Sequence, residues 1–239
     1  MTQKVIGILG GMGPAATLEL FTRIIDNTAA EADQEHVNMI IINDPQIPDR
    51  SKYILEDGAS PIPKLIENLN KLFYAGADVA VIPCMTAHSF INELNKTSPI
   101  PIINAISLVE EHIQTEYPSF NKVGLLATNG SVHSGVYQRY ISKEIVVPEK
   151  AGQMEVMDII YGNEGIKSGN TSSEVTDRIR DVTDKLKKED IEAVIAGCTE
   201  LSLVMDEKSI DIPVIDPITL LAKKVVMLGN NYATKLNNR

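Results

Sequence analysis

The chain has 239 residues, a net charge of −10 from 32 acidic against 22 basic side chains, and 44% hydrophobic residues. This is a globular composition rather than a disordered one, with length for one large or two small domains at ~150 residues each. The longest apolar runs, such as Val5–Leu9 and Val79–Ile82, are about five residues against the ~20 a bilayer span needs, and no basic stripe offers the positive face that nucleic acid requires.

Short apolar, β-branched runs alternate with amphipathic stretches. Val5–Leu9 reads as a strand and leads into a helix over Pro14–Ala30, with proline at a suitable first helical position. A strand over Asn38–Ile42 follows, then a helix over Pro61–Ala75 with Leu65, Leu69 and Leu72 on one face. Strands over Val79–Ile82 and Ile100–Ile103 close the first half. The second half offers strands at Val123–Leu126, Ile145–Val147, Ala193–Ala196 and Ile212–Ile215. Its helix over Thr171–Lys188 opens on the capping box Thr171-x-x-Glu174 and carries Val175, Ile179, Val182 and Leu186 as one stripe. The strand runs are continuous rather than alternating, which predicts parallel strands covered on both faces. Strand and helix in alternation predict an α/β fold.

The chain also echoes itself. Ala77–Cys84 pairs with Ile191–Cys198 at an offset of 114, Pro101–Ile106 with Pro213–Ile218 at 112, and Lys4–Leu9 with Asn121–Leu126 at 117. Three echoes at nearly one offset predict two similar α/β domains. The expected division is residues 1–103 plus a C-terminal helix 217–239, and residues 104–216. Each domain would hold a parallel sheet flanked by helices, related by a pseudo-twofold with the active site in the cleft between them.

Cys84 and Cys198 each end an apolar strand and precede a predicted helix, at the sheet edge where α/β proteins bind ligands. A thiol at a helix N-terminus is expected to favour thiolate. A lone cysteine reads as a small buried hydrophobe; two at equivalent points of a duplication suit a reaction with an acid/base group on each side of one carbon. Racemisation is such a reaction: a proton leaves one face of Cα and another arrives at the opposite face. The sulfurs would then stand too far apart for a ~2.05 Å disulfide bond. The N-terminus carries one Lys and a short strand-like run, where a secretory leader needs ~7–15 apolar residues, so the expectation is a cytoplasmic protein with free thiols. Two cysteines and four histidines without a cluster give no expected metal site.

The segments Gly7–Thr17, Pro45–Ser51, Pro83–His88, Thr128–Ser131 and Gly197–Leu201 together resemble the aspartate/glutamate racemase superfamily, in particular its aspartate racemase branch, from residue 5 to about residue 218. The resemblance implies an amino-acid racemase of two α/β domains that uses no cofactor and takes a small, acidic amino acid, often as a homodimer. It implies Cys84 and Cys198 as the catalytic pair. It implies substrate-binding roles for Met12, Arg50, Met85, Thr86, Thr128, Asn129, Lys167, Thr199 and Glu200. Arg50 offers a bidentate fork for a carboxylate, against the reading of a solvated loop charge. Lys167 lies between glycines in Gly165–Gly169, where an exposed lysine is the alternative. Thr128 and the amides after it suit a carboxylate-binding turn, a helix N-cap, or both. Met12 would line the pocket, Thr86 and Thr199 would cap their helices or bind carboxylate, and Glu200 reads as a cap for helix amides rather than a base. The family usually places Asn directly after the first cysteine, where this chain has Met85.

Other readings remain open on the residues alone. Gly11-x-Gly13-x-x-Ala16 after a strand matches a dinucleotide fingerprint, although Pro14 lacks an N–H and Asp44 lies 33 residues beyond Gly11 where ~20 is expected. Cys84 and His88 stand four apart, which permits a Cys–His nucleophile and a hydrolase. A racemase-like fold that binds an acidic metabolite with little turnover is the non-enzyme alternative.

Overall fold

A computed structural model describes residues 3–205, 208 and 210–229. In chain order its elements are β1 (Ile6–Gly10), α1 (Pro14–Asn27), β2 (Met39–Asn43), α2 (Arg50–Leu55), α3 (Ile62–Tyr74), β3 (Val79–Val81), α4 (Ile91–Thr97), α5 (Ala105–Glu116), β4 (Lys122–Leu126), α6 (Asn129–Ser134), α7 (Val136–Tyr140), β5 (Glu144–Val146), α8 (Lys150–Tyr161), α9 (Ser173–Lys187), β6 (Ala193–Ala196), β7 (Val214–Ile215) and α10 (Pro217–Gly229). The described residues fall into two compact units. The first holds the chain up to Pro48, Ser60–Ala105 and Ile218 onward; the second holds Asp49–Ala59 and Ile106–Pro217.

In the first unit the strands run parallel in the order β2-β1-β3, with Ile6 beside both Met39 and Val79. Every residue of β1 is buried, as a continuous apolar run in a covered sheet should be. Helix α1 buries Ala16, Leu20 and Ile24, and α3 buries Leu65, Leu69 and Leu72. Each buried Leu or Ile contributes ~1.5–3 kcal/mol relative to leaving it in water. The predicted strand Ile100–Ile103 reduces to one bridging residue, Ile102 beside Ala80. The prolines at 99 and 101 explain this, because neither can donate to a ladder. Of the predicted helix 217–239, α10 covers Pro217–Gly229, and residues 230–239 lie outside the described residues.

The second unit repeats that order with a fourth strand, β5-β4-β6-β7, again all parallel. Val156, Ile159 and Ile160 of α8 and Val175, Ile179, Val182 and Leu186 of α9 join Val194 and Ala196 of β6 in one core. The predicted stripe on α9 is this buried face. Its predicted capping box is not formed. The N-cap is Ser172, without a side-chain cap, and its own N–H donates to Asn170 Oδ1 at 3.0 Å. That local Asx turn moves the helix start past Thr171. The segment Asp49–Ala59, read with the first half in the sequence, groups with the second unit because α2 packs against α6. No helix among the described residues is long and apolar enough to cross a membrane.

Candidate active site

In the first unit, β1 runs into a glycine turn. Gly11 has φ +97°, and a Cβ there would lie 2.4 Å from the backbone of Asp44, so only glycine lets the chain past the end of β2. The Gly11 N–H donates to Thr17 Oγ1 at 2.9 Å, and that hydroxyl donates to the Gly13 carbonyl at 3.1 Å. The amide a pyrophosphate would need is therefore held by α1 itself, and the glycines answer to close packing rather than to a dinucleotide. Met12 on this turn is buried.

Cys84 follows β3 and is a buried, free thiol. The helix expected directly after it is instead a 3-10 turn over Met85–Phe90 that passes into α4. The Ala87 N–H donates to the Cys84 carbonyl at 3.1 Å, and His88 Nδ1 lies 3.0 Å from the same oxygen. The Ala105 N–H donates to His88 Nε2 at 3.1 Å. With Nε2 accepting, the proton sits on Nδ1 and is donated to Cys84 O. Burial pushes the His88 pKa down to about 4. Both ring nitrogens are thus committed to backbone, and His88 has no free base to offer the Cys84 thiol. This is the packing role and tells against a Cys–His hydrolase. Met85 and Thr86, on the same turn, are also buried.

In the second unit Cys198 follows β6 in the same way. The Tyr137 hydroxyl on α7 donates to the Gly197 carbonyl at 3.1 Å and fixes the strand end. The next turn is a short 3-10 piece, Leu201–Leu203, in place of the expected helix. Cys198 Sγ donates to Glu200 Oε2 at 3.0 Å, and Thr199 Oγ1 donates to the same oxygen at 3.3 Å. Glu200 Oε1 pairs with Lys167 Nζ, which sits 5.3 Å over the Tyr161 ring. Cys198 is 6% exposed and Glu200 3%.

Two expectations are corrected here. Glu200 does not cap helix amides; it holds a thiol, a hydroxyl and an ammonium. The Cys198 thiol is not poised toward thiolate. Burial pushes its pKa well up and the Glu200 charge pushes it further, with Lys167 opposing. A 3-10 turn of three residues offers no compensating helix dipole. Burial also pushes the Glu200 carboxyl up, but the Lys167 charge and the Cys198 hydrogen bond outweigh it and hold Glu200 below its usual range.

Arg50 opens α2, whose N-cap Asp49 accepts the Lys52 N–H at 2.8 Å. It is 8% exposed, a buried cation rather than a solvated loop charge. Next to it Ser51 is buried, and its Oγ has no hydrogen-bond partner. A Cβ on Gly130 would lie 2.6 Å from that Oγ, so α2 and α6 touch through the missing side chain. Thr128 caps α6, its Oγ1 accepting the Ser131 N–H at 3.2 Å. The Asn129 N–H points to Met157 Sδ at 3.2 Å, and Asn129 Oδ1 accepts from Gln153 Nε2 at 2.8 Å. Arg50, Thr128, Asn129, Lys167, Cys198, Thr199 and Glu200 all belong to the second unit; Met12, Cys84, Met85 and Thr86 belong to the first.

The sequence pattern of the Asp/Glu/hydantoin racemase family matches residues 9–225. The chain belongs to that family. It is 27% identical over 228 residues to the broad specificity amino-acid racemase RacX of Bacillus subtilis, an alignment covering 93% of this chain and 96% of that one. Its structure is similar to Picrophilus torridus aspartate racemase, with a TM-score of 0.82, 30% identity, and 99% and 100% of the two chains covered. An aspartate racemase homologue from Pyrococcus horikoshii shares the fold at a TM-score of 0.74 and 24% identity, over 95% and 99% of the chains.

Within this racemase family the enzyme class is that of an isomerase. Ser51 was not singled out in the sequence; an orphaned buried hydroxyl beside a buried arginine is the signal that marks it. Tyr137 was missed too, because a contact 60 residues away with Gly197 leaves no local pattern, and so was Tyr161, whose ring lies against Lys167. A cavity of about 390 Å³ in the second unit, lined by Val146, Pro148, Gly152, Val182 and Leu186 among others, contains none of these residues. Among the described residues no group of three or more His, Cys, Asp or Glu side chains is placed to hold a metal ion.

Proposed function

We propose that this protein racemises an acidic amino acid, aspartate first and glutamate second, without a cofactor, using Cys84 and Cys198 on opposite faces of Cα. One sulfur, as thiolate, takes the Cα proton. The other, as thiol, gives its proton to the opposite face, and the next turnover runs the pair in reverse. The observation that carries this reading is the equivalence of the two thiols. Each is free and buried, and each follows the strand that pairs with the central strand of its own sheet. The acidic substrate is supported by Arg50, a buried cation in a chain of net charge −10, and by Lys167, whose ammonium would be shared between Glu200 and the substrate. Arg50 would clamp one carboxylate bidentately. Lys167, Thr86, Thr128, Asn129 and Thr199 would serve the other, with Met12 and Met85 as walls and Glu200 beside Cys198. The same reading expects a cytoplasmic protein, whose thiols stay reduced, and a homodimer that light scattering would detect.

The test is a panel of L- and D-amino acids in D2O, followed by NMR for loss of the Cα proton and by chiral chromatography for inversion. Aspartate is expected to lead. Since the relative RacX is named for broad specificity, apolar amino acids belong in the panel. Changing either cysteine to Ser should lower racemisation by on the order of 10²–10⁴, the contribution of a positioned acid or base. One-face exchange of the Cα proton without inversion is compatible with a single remaining thiol. Full activity in Cys198→Ser would remove the two-thiol mechanism.

A further inference from the structure

A two-thiol racemase works only while one sulfur is protonated and the other is not. Two thiols in like surroundings titrate together, so that mixed state is populated over a narrow pH range. Pushing the two titrations apart widens the range and assigns the roles. The surroundings of Cys198 contain a group able to do this. Glu200 Oε2 accepts the Cys198 Sγ–H at 3.0 Å, with both residues buried.

We propose that Glu200 is a positioning residue that keeps the proton on Cys198, so that in the resting enzyme Cys198 is the proton donor and Cys84 the base toward one enantiomer, with the roles reversed toward the other. This rests on the two-cysteine reading above. Two effects act together. The carboxylate accepts a hydrogen bond that exists only while sulfur is protonated, and its charge opposes a thiolate at the same place. Lys167 has the supporting part. Paired to the far oxygen Oε1, it keeps Glu200 ionised, and so an acceptor, in a buried position. The Glu200 backbone N–H also faces the sulfur and, with Lys167, favours thiolate; the remaining polar groups that bear on the thiol are neutral. Thr199 donates to the same Glu200 oxygen, Tyr137 donates to the Gly197 carbonyl before it, and Tyr161 lies under the Lys167 ammonium. Lys167 pulls the thiol toward ionisation but weakly enough that burial and Glu200 prevail.

When Cys198 gives its proton to Cα, the S–H bond breaks, the C–H bond forms, and the electron pair stays on sulfur. The thiolate so formed stands against the Glu200 carboxylate and is therefore a strong base for the return step. Glu200 takes no proton at any point; it sets the energy of the two states of the sulfur.

The test uses the full chain with cysteine labelled at 13Cβ. Only two cysteines are present, so two resonances titrate, and Cys84→Ser assigns them. In the wild type Cys198 should ionise above the ordinary ~8.5 of a cysteine. In Glu200→Gln its midpoint should fall by roughly one to three pH units. Glu200→Asp, which withdraws the carboxylate from sulfur, should give an intermediate value and serves if the Gln variant does not fold. The alkaline limb of kcat/KM should fall by the same amount. It should do so equally from L- and D-substrate, since racemisation has an equilibrium constant of one. A Cys198 midpoint unchanged in both folded variants overturns the proposal and leaves the racemase reading untouched. A midpoint that falls as expected while the rate profile stays fixed upholds Glu200 as the keeper of the proton and overturns Cys198 as the acid.

Discussion

Met85 sits directly after Cys84 and is 1% exposed, among the most completely buried large side chains of the first unit. The family resemblance puts Asn there. An amide can donate to a substrate carboxylate and a thioether cannot, and a hydrogen bond to a charged group is worth ~1.5–3 kcal/mol. If the substrate is aspartate, Met85→Asn should raise kcat/KM on it by roughly ten-fold or more, mainly by lowering KM. The same change puts an amide where a buried apolar group was, so the melting temperature should fall. A fall in activity on another amino acid, with aspartate still poorly used, would show Met85 to be fitted to a less polar substrate. Kinetics unchanged on every substrate would place the side chain beyond the substrate's reach. The same logic applies to Arg50. Arg50→Lys keeps the charge and loses the planar fork, so KM should rise by on the order of ten-fold while the Cys198 titration stays as before.

Helix α2 illustrates how an element carries a candidate site residue whose position the sequence does not disclose. Its six residues are too few to be helical alone, and its partner is α6, nearly eighty residues on. The contact closes because Gly130 has no side chain opposite Ser51. Gly130→Ala would set a Cβ 2.8 Å from Ser51 Cα and force the helices apart. We expect a loss of about 1–3 kcal/mol in stability, the usual cost of overpacking. We also expect a larger proportional rise in KM, because Arg50 rides on the displaced helix. Urea denaturation and steady-state kinetics on one preparation separate the two effects; an unchanged KM would detach α2 from substrate binding. The elements that were legible in the sequence are those whose signal is local. The strands around β1, β3, β4 and β6 are continuous apolar runs, and α3 and α9 carry one-sided stripes. The 3-10 turns after the cysteines were not legible. A tight turn and a helix start look alike until a tertiary partner, here His88 on the Cys84 carbonyl, decides between them.

At the scale of the whole molecule the duplication was legible as three sequence echoes, and each unit shows the same strand order around its central strand. The thiol environments were not legible, because Glu200 and Lys167 meet across 33 residues and the ionisation of Cys198 depends on that meeting. The difference between the units extends to stability. Burial holds His88 in the first unit down to about 4, against 6.5 for an ordinary histidine. The folded protein therefore keeps His88 neutral where the unfolded chain binds a proton. Stability from this source is complete above pH ~6.5 and is lost as pH falls toward 4, by about 3 kcal/mol in all at 1.36 kcal/mol per unit. Carboxyls held below their usual range, such as Asp44 and Glu110, act in the same direction but below about 4.5. The interval from 6.5 to 4.5 thus belongs mainly to His88. Cys198 acts on the other side. Its raised thiol stays protonated in the folded state while the unfolded chain ionises above ~8.5, so stability should decline again at alkaline pH. Urea unfolding at pH 7.5, 6.0 and 4.5 tests the acid limb. The wild type should lose most of that 3 kcal/mol over the interval. His88→Gln should be less stable at pH 7.5, because the Cys84 carbonyl and Ala105 amide lose fitted partners, yet nearly flat between 6.5 and 4.5. An equal slope in the two proteins would mean that His88 takes up its proton in the folded state at the ordinary pH, and that the two backbone hydrogen bonds do not hold the ring neutral.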